Sequence, residues 1–335
     1  MADTDDLERL TEARVPEPAN HHPIVLIAMG GHAFMQAGEK GTIEEHERNA
    51  EQIASLLMHL VARDYYLVVT HGNGPQVGSL LIQHELARQE VPQMPLDVLV
   101  AMTEGSLGYI LQQSLLNALR RRNSSRYVVT VVTQVLVDEN DPAFQEPSKP
   151  IGPFLSRQEA ERRRDQLGWK VKEDAGRGWR RLVPSPKPLK VIQRHMIKDA
   201  TRAGHVVIAC GGGGIPIKRT PEGGYAGIEA VIDKDLTSAV LATDVGASLL
   251  VILTAVPKVF VNYGKPEQRA LDAVTLQEIE ELHAQGHFPP GSMGPKIEAV
   301  IRFLSSGGRR ALITNPESLP QAIEGRAGTH FIGGI

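Results

Sequence analysis

Short runs of β-branched and other apolar residues recur along the chain from Pro23 onward. They lie at 24–29 (IVLIAM), 66–70 (YLVVT), 127–133 (YVVTVVT), 206–210 (VVIAC), 249–254 (LLVILT) and 311–314 (ALIT). Continuous apolar runs of this length are typical of parallel strands that are buried on both faces of a sheet. We therefore predict that these runs form buried parallel strands.

The segments between these runs place apolar residues three and four positions apart, which is the spacing of one helix face. One such set is Ile53, Leu56, Leu57, Leu60 and Val61. Strands that alternate with helices along the chain favour an α/β fold with helices on both faces of the sheet.

Two segments depart from this alternation. The first 22 residues mix acids, prolines and polar residues without a sustained apolar period, and we predict a mobile N-terminal arm there. Residues from about 138 to 188 are rich in proline, arginine and tryptophan and contain the charged helix candidate SRQEAERRRDQL. We predict that they form a small inserted lobe over one edge of the sheet's ligand side, within a single domain that spans residues 23–335.

The composition excludes several classes of protein. The 335 residues carry 41% hydrophobic and 22% charged residues, as ordinary globular proteins do, and a formal net charge of -3 gives no overall attraction to nucleic acid or anionic membranes. No apolar run approaches the roughly 20 residues that a membrane span needs. The single cysteine, Cys210, cannot form an internal disulfide, and no signal-peptide pattern opens the chain, so we predict a cytoplasmic protein.

Glycine-rich segments lie where ligands bind in open α/β sheets, beyond the carboxyl ends of the strands. They are 30–32 (GGH), 71–76 (HGNGPQ), 211–214 (GGGG) and 291–296 (GSMGPK). Glycine lets backbone N–H groups approach a phosphate, and a helix start adds about half a positive charge at the same point. Any one of these segments can be a simple tight turn, but the four together favour phosphate binding.

Two common nucleotide-binding patterns do not occur. The sequence lacks the G-x-x-x-x-G-K-[ST] loop, and Gly72, Gly74 and Gly78 are spaced one residue too wide for G-x-G-x-x-G. The phosphate chemistry therefore belongs to neither of these classes.

Three lysines are candidates for binding the charge of a phosphate. Lys149, Lys234 and Lys296 lie among proline, glycine and apolar residues, whereas most lysines are solvated surface charges. Asp233 and Asp235 flank Lys234, so they can hold its ammonium group in place or meet a magnesium ion through water. Either carboxylate can instead serve only to cap the helix that runs through LTSAVLA.

The histidines show no metal-binding pattern. His283 and His287 are four residues apart, but Gly286 interrupts the helix and no cysteine or carboxylate completes a zinc site. We therefore predict no metal site formed by protein side chains.

The motifs together resemble the carbamate kinase family of the amino-acid kinase superfamily over nearly all of residues 24–332. The most specific stretches are VTHGNGPQVG (69–78), EGSLGYILQQ (104–113), TQVLVDENDPAFQEPSKPIGPF (133–154), GWRRLVPSPKP (178–188), VIACGGGGIP (207–216), EAVIDKDL (229–236), NYGKPEQ (262–268) and QGHFPPGSMGPK (285–296). The resemblance implies a three-layer αβα sandwich around a mainly parallel sheet. It also implies a homodimer that uses Mg²⁺ and interconverts ATP plus carbamate with ADP plus carbamoyl phosphate.

The resemblance also implies roles for individual residues. Lys149, Lys234 and Lys296 would bind the charge, and Asp235 would hold the lysines in place. The carbamate would bind at Gly72, Asn73 and Gly74. The phosphates and the nucleotide would bind at Gly30, Gly31, His32, Gly212, Gly213, Thr254, Tyr263, Gly291, Ser292 and Met293.

Two positions depart from the family's pattern. The first loop carries His32 where asparagine is usual, and Glu104 occupies a place where glutamine is common. His32 puts a titratable ring near the phosphates, so we expect it to affect the rate and its pH dependence. Two other functions stay open at this point: a kinase of the same fold that acts on another small carboxylate or carbamoyl acceptor, and a nucleotide-binding regulatory protein without turnover.

Overall fold

The computed structural model describes residues 22–30, 33–36, 38–174 and 178–333. Nearly all of the predicted N-terminal arm, together with Gly31 and His32, lies outside the described residues. The described strands are β1 (Ile24–Met29), β2 (Tyr66–His71), β3 (Val128–Thr130), β4 (Gln134–Leu136), β5 (Lys149–Leu155), β6 (Lys170–Glu173), β7 (Trp179–Val183), β8 (Lys190–Val191), β9 (Val206–Ile208), β10 (Ile215–Arg219), β11 (Tyr225–Gly227), β12 (Leu249–Leu253), β13 (Val259–Val261), β14 (Arg269–Leu271), β15 (Ala273–Thr275), β16 (Arg310–Thr314) and β17 (Thr329–Ile332).

The described α-helices are α1 (Ile43–Val61), α2 (Gly74–Ala87), α3 (Leu96–Arg120), α4 (Arg157–Leu167), α5 (Arg194–Arg202), α6 (Lys234–Val245), α7 (Leu276–Ala284), α8 (Met293–Ser305) and α9 (Leu319–Ile323). Short 3₁₀ turns lie at Pro142–Phe144 and Gly211–Gly213. Among these described helices, none combines the length and the apolar character that a membrane span needs.

An eight-stranded sheet lies at the centre, in the order β15-β17-β16-β12-β1-β2-β9-β3. Its neighbouring strands are parallel, except that β16 and β17 run antiparallel. The prediction of an α/β fold with a mainly parallel sheet is confirmed.

Alternate residues of the central strands enter two separate hydrophobic cores. In β1, Leu26 and Ala28 pack with α5, α6, α7 and α8 on one face of the sheet. Val25 and Ile27 pack with α1, α3 and α9 on the other face. Because successive side chains of a strand point to opposite faces, a fully apolar strand such as β1 needs a helical layer on each side. The three-layer αβα sandwich is therefore confirmed.

The apolar run 127–133 does not form the single strand that we predicted. It divides into β3, which belongs to the central sheet, and β4, which joins a second sheet of order β11-β10-β4-β8. Thr133 lies between the two strands, and its N–H donates to the Glu104 Oε2 at 2.9 Å while its hydroxyl accepts from the Cys210 N–H at 3.0 Å. These bonds to other segments replace strand pairing at this position, so the prediction of one strand was wrong.

The segment predicted as an inserted lobe contains a three-stranded sheet, in the order β5-β7-β6, and the helix α4. Its strand β5 lies against α2, where Gly78 and Gly152 bring the two backbones into close contact. A Cβ atom on Gly78 would lie 1.9 Å from the Gly152 Cα atom, so no larger residue fits there without a shift. Two glycines therefore allow the close approach of this segment to α2.

Candidate active site

Three of the four glycine segments that we singled out from the sequence come at the ends of neighbouring strands of the central sheet: 30–32 after β1, 71–76 at the end of β2 and 211–214 after β9. The fourth, 291–296, leads into α8. In the parallel register, Met29 at the end of β1 lies opposite His71 of β2 and Leu253 of β12. Gly30, Gly72 and Thr254 come directly after these three strand ends. The carboxyl ends of parallel strands share one edge, so this edge is the place where a ligand is expected to bind.

Three lysines from different elements meet two carboxylates near this edge. The Lys149 Nζ atom of β5 lies 2.9 Å from Asp233 Oδ2. The Lys234 Nζ atom lies 2.5 Å from Asp235 Oδ1, and the Lys296 Nζ atom of α8 lies 3.2 Å from Asp235 Oδ2. We call these five residues the lysine cluster. The structure therefore brings together all three lysines that were singled out from the sequence.

The beginning of α6 explains why the two carboxylates lie side by side. Asp233 is the N-cap of this helix, and its Oδ1 accepts from the N–H groups of Asp235 at 2.9 Å and Leu236 at 3.4 Å. Its other oxygen binds Lys149. Asp233 thus both caps the helix and binds a lysine, whereas Asp235 stands in the first turn and holds two lysines.

Burial and charge oppose each other in the lysine cluster. Burial disfavours the ionised form of Asp233, but the attraction of Lys149, followed by that of Lys296 and Lys234, outweighs it and holds the pKa of Asp233 well below its usual value. Burial lowers the pKa of Lys234, against the attraction of Asp235. The attraction of Asp235 raises the pKa of Lys296. With three ammonium groups against two carboxylates, the cluster has an excess of positive charge that favours an anionic ligand.

The loop between β2 and α2 lies in contact with the glycine loop that follows β9. Asn73 is 2% exposed, and its Nδ2 donates to the Thr103 hydroxyl at 2.8 Å. Gly212 has a positive φ of +67°, and a Cβ atom there would lie 2.1 Å from Asn73 Nδ2. Only a glycine fits against Asn73 in this conformation. The predicted acceptor loop and a predicted phosphate loop are therefore adjacent.

The glycine loop is also tied to the lysine cluster. The Thr237 hydroxyl on α6 donates to the Gly213 carbonyl at 2.8 Å. At the next residue of α6, the Ser238 hydroxyl donates to the Lys234 carbonyl at 2.6 Å and lies 2.6 Å from the Thr70 hydroxyl of β2. The helix that carries Lys234 and Asp235 is therefore hydrogen-bonded to the glycine loop and to β2, which both lie at this edge of the central sheet.

His71, at the end of β2, is a buried histidine beside this site. It is 1% exposed, and burial lowers its pKa to about 4, with a further lowering by the nearby Lys234 cation. The imidazole is therefore neutral at physiological pH. Its Nδ1 lies 3.2 Å from the Gly72 carbonyl oxygen, so it supports the acceptor loop.

Comparison with known proteins identifies the family. A model described as the amino acid kinase family matches residues 23–315. The chain belongs to the amino acid kinase family.

Relatives of the chain in this family bear the name carbamate kinase or carbamate kinase-like protein. The chain is 47% identical over 314 residues to the carbamate kinase of Thermococcus kodakarensis, which covers 92% of this chain and 98% of that protein. It is 46% identical over 316 residues to a carbamate kinase-like protein of Escherichia coli, with 92% and 98% covered. The resemblance that was stated from the sequence motifs is confirmed.

A solved structure shows the same fold. The carbamate kinase of Giardia lamblia bound to AMP-PNP has a TM-score of 0.86 and 41% sequence identity, and the match covers 93% of this chain and 99% of that one. The structure of the Giardia protein bound to citric acid gives a TM-score of 0.89 at 40% identity, with 93% and 99% covered.

The residues predicted to bind the nucleotide lie in several segments of this amino acid kinase. Gly291, Ser292 and Met293 form the beginning of α8, and the Ser292 carbonyl lies 3.4 Å from Lys296 Nζ, which ties this segment to the lysine cluster. Thr254 follows β12 and donates its N–H to the Thr314 carbonyl at 2.9 Å. Tyr263 is 64% exposed in the turn after β13.

The first glycine loop of this amino acid kinase is described only in part. Gly30 follows β1, and its carbonyl accepts from the Ala33 N–H at 3.0 Å. Gly31 and His32 lie outside the described residues, so their expected roles stay predictions.

Sequence reasoning missed Arg180. This residue of β7 donates from Nε to the Gly152 carbonyl at 3.0 Å and pairs with Asp174 at 3.3 Å. Its Nη2 lies 3.8 Å from the position that a Cβ atom of Gly74 would take, so a guanidinium group stands beside the first residue of α2. The motif GWRRLVPSPKP contains Arg180, but nothing in its spacing shows that β7 reaches a loop about a hundred positions earlier.

Proposed function

We propose that this amino acid kinase catalyses reversible phosphoryl transfer between ATP and carbamate, so that ADP and carbamoyl phosphate are formed in one direction. The observation that carries the proposal is the lysine cluster, in which Lys149, Lys234 and Lys296 are held by Asp233 and Asp235. The relatives described above bear the name carbamate kinase, which supports the choice of acceptor.

The arrangement addresses the main difficulty of this reaction. Both the acceptor and the polyphosphate are anions, and they repel each other as they approach. Cations and backbone N–H groups that are fixed in advance stabilise the charge that spreads over the transferred group. Because carbamate is already an anion, no residue has to remove a proton from it. A buried, neutral His71 agrees with a site that needs no histidine base.

We assign roles according to position. Gly72, Asn73 and Gly74 bind the acceptor at the beginning of α2, where backbone N–H groups and the helix dipole favour an anion. Gly30 and the pair Gly212 and Gly213 approach the phosphates, because no side chain separates their backbone from a ligand.

Two carboxylates hold the three lysines of the lysine cluster in place. Asp235 keeps Lys234 and Lys296 directed at the same place, since each of its oxygens binds one of them. Lys149 comes from the inserted segment and is held by Asp233 instead. Asp235 is thus the organiser of two lysines, and Asp233 supplies the position of the third.

We propose that Mg²⁺ reaches the site on the phosphates of the nucleotide. Lysine ammonium groups already bind both oxygens of Asp235 and the Oδ2 of Asp233, so neither carboxylate fits direct metal ligation. No group of three or more potential ligand side chains that could hold a metal ion occurs within the described residues. Magnesium commonly keeps several waters and binds through substrate phosphates, and bound there it would reduce the negative charge that the lysines must meet.

We also propose that the protein is a homodimer that pairs through α3. Val98, Met102 and Tyr109 lie on one face of this helix and are 37%, 41% and 62% exposed. A second copy of the chain would bury this apolar stripe. Light scattering of the protein in solution should give twice the mass of one chain for the wild type. It should give the mass of one chain for the double variant Met102→Glu, Tyr109→Glu. Met196→Glu on α5, which is 67% exposed in the wild type, should leave the mass unchanged; a monomeric wild type would contradict the proposal.

The direct test is the formation of ATP from carbamoyl phosphate and ADP with Mg²⁺. Rapid ATP formation supports the proposed acceptor. No ATP from carbamoyl phosphate, but ADP formation from ATP with another small acid, would favour a kinase with a different acceptor. Tight binding of ADP without turnover towards any acid would favour a regulatory protein. The cytoplasmic location stays a prediction.

A further inference from the structure

Glu104 is buried in the protein interior, next to two of the loops that we assign to substrate binding. It stands in the middle of α3 and is 2% exposed. Its neighbour Thr103 accepts from Asn73 Nδ2 of the acceptor loop at 2.8 Å. Glu104 itself accepts the Thr133 N–H at 2.9 Å. One turn of α3 therefore supports both the acceptor loop and the segment that precedes β4.

Gly211, the first residue of the glycine loop after β9, is in close contact with Glu104. A Cβ atom on Gly211 would lie 3.0 Å from the Glu104 Cγ atom and 2.7 Å from the His71 ring. The Gly211 N–H also points at the Glu104 carboxyl group. Just before it, Cys210 has a positive φ of +51° and donates its N–H to the Thr133 hydroxyl at 3.0 Å. Glu104 and Thr133 therefore position the glycine loop from the protein interior.

The Glu104 carboxyl group is buried and forms no ion pair with any described residue. Its Oε1 is buried without a hydrogen-bond partner, and the titratable groups that face it are His71 of β2 and the Cys210 thiol. Burial raises the pKa of Glu104 well above its usual value, and the N–H groups of Thr133 and Gly211 only partly oppose this. Burial, with a contribution from Glu104, also raises the pKa of Cys210. His71 is neutral at physiological pH because burial lowers its pKa to about 4, and burial favours the uncharged form of Glu104 and Cys210 as well.

We propose that Glu104, in its uncharged carboxylic acid form, is a positioning residue that holds Gly211 and Thr133 so that the glycine loop can accept a phosphate. The proposal rests on the assignment of Gly212 and Gly213 to the phosphates, made above. Loss of the proton places a negative charge directly under this loop. A phosphate on the loop and a proton on Glu104 therefore favour each other, and alkaline pH weakens phosphate binding by this route.

The test compares the pH profiles of the wild type and Glu104→Gln. Glutamine keeps an oxygen that can accept the two N–H groups, but it cannot ionise. The proposal predicts that the ratio of wild-type to Glu104→Gln kcat/KM for ADP falls as the pH rises from about 6 to 9.5. Lys234, whose pKa burial lowers, also loses charge at alkaline pH, but it is present in both proteins and its effect cancels in the ratio. A ratio that does not change with pH would overturn the proposal.

Two further measurements keep the test decisive. Glu104→Leu removes the acceptor of two buried N–H groups and should lower kcat/KM by at least about tenfold at every pH. Glu280→Gln, on the exposed side of α7, should give a flat ratio to the wild type. If the wild type makes no ATP, the dissociation constant of ADP, measured by calorimetry for the wild type and Glu104→Gln, replaces kcat/KM. A pH-dependent ratio of these constants then supports the role of Glu104 although the proposed reaction has failed, and a constant ratio overturns it.

Discussion

Lys149 and Asp233 form an ion pair of 2.9 Å that joins the inserted segment to the beginning of α6. Both side chains remain about one-fifth exposed, at 22% and 23%, so the pair lies at the boundary between protein and ligand space. An ion pair in that place stabilises the position of β5 and keeps an ammonium group available to an anion. It therefore connects the position of the inserted segment to the charge of the candidate active site.

Replacement of Lys149 or Lys296 should strongly reduce turnover. We predict that Lys149→Ala and Lys296→Ala each lower kcat by at least about 10²-fold, because each loses a cation fixed near the transferred phosphoryl group. Thermal unfolding should show that both variants remain folded. Lys172→Ala, on the exposed strand β6 of the same inserted segment, is the control and should retain the wild-type rate. Near-normal turnover in Lys149→Ala or Lys296→Ala would remove that residue from the site.

Asp235→Asn should be more damaging than the loss of one lysine. Its carboxylate binds both Lys234 and Lys296, and Lys234 is buried, so the variant leaves a buried ammonium group without its counter-charge. We expect kcat to fall by more than about 10²-fold and the free energy of unfolding to fall by about 3 kcal/mol. Steady-state kinetics and chemical denaturation measure the two effects. A stable variant with wild-type kinetics would contradict the role of Asp235 as the anchor of two lysines.

Gly78→Ala should separate the inserted segment from α2. The added methyl group would lie 1.9 Å from the Gly152 Cα atom, and backbone atoms cannot move aside as a flexible side chain can. We expect a loss of about 1–3 kcal/mol in the free energy of unfolding, and a lower kcat because β5 carries Lys149. Gln83→Ala, at an exposed position of the same helix α2, is the control and should change the free energy of unfolding by less than about 0.5 kcal/mol. Equal stabilities of the two variants would contradict the close backbone contact.

Asp233→Asn should make the protein less stable in a way that depends on pH. Asparagine still caps the helix, but it loses the charge that attracts Lys149. The folded protein keeps Asp233 ionised more strongly than the unfolded chain does, so its contribution is fully present above about pH 4 and is lost as the pH falls further. Chemical denaturation should show a difference from the wild type on the order of 2 kcal/mol near pH 7 that shrinks below about pH 4. A difference that grows towards acid pH would contradict this account.

The strands could be predicted where burial on both faces leaves a continuous apolar run. β1 and β12 were found almost to the residue for this reason. The run 127–133 misled the prediction because Thr133 uses its backbone and hydroxyl outside the central sheet. Hydrogen bonds to distant segments leave no mark in local hydrophobicity, and they decided where β3 ends.

The residue types of the candidate site could be predicted from the sequence, but which lysine pairs with which aspartate could not. The three lysines stood out because of their apolar and glycine-rich surroundings, but the sequence did not indicate that Lys149 would bind Asp233 while Asp235 held the other two. Capping and lysine binding were treated as alternatives for Asp233, and the structure shows both. Arg180 and the contact between Gly78 and Gly152 depend on how the inserted segment packs, which no local pattern reports.

The most direct test of the proposed function is ATP formation from carbamoyl phosphate and ADP with Mg²⁺, measured for the wild type and for Lys149→Ala and Lys296→Ala side by side. We predict rapid ATP formation by the wild type and a loss of at least about 10²-fold in each variant. A wild type that binds ADP and forms no ATP from carbamoyl phosphate would contradict this prediction.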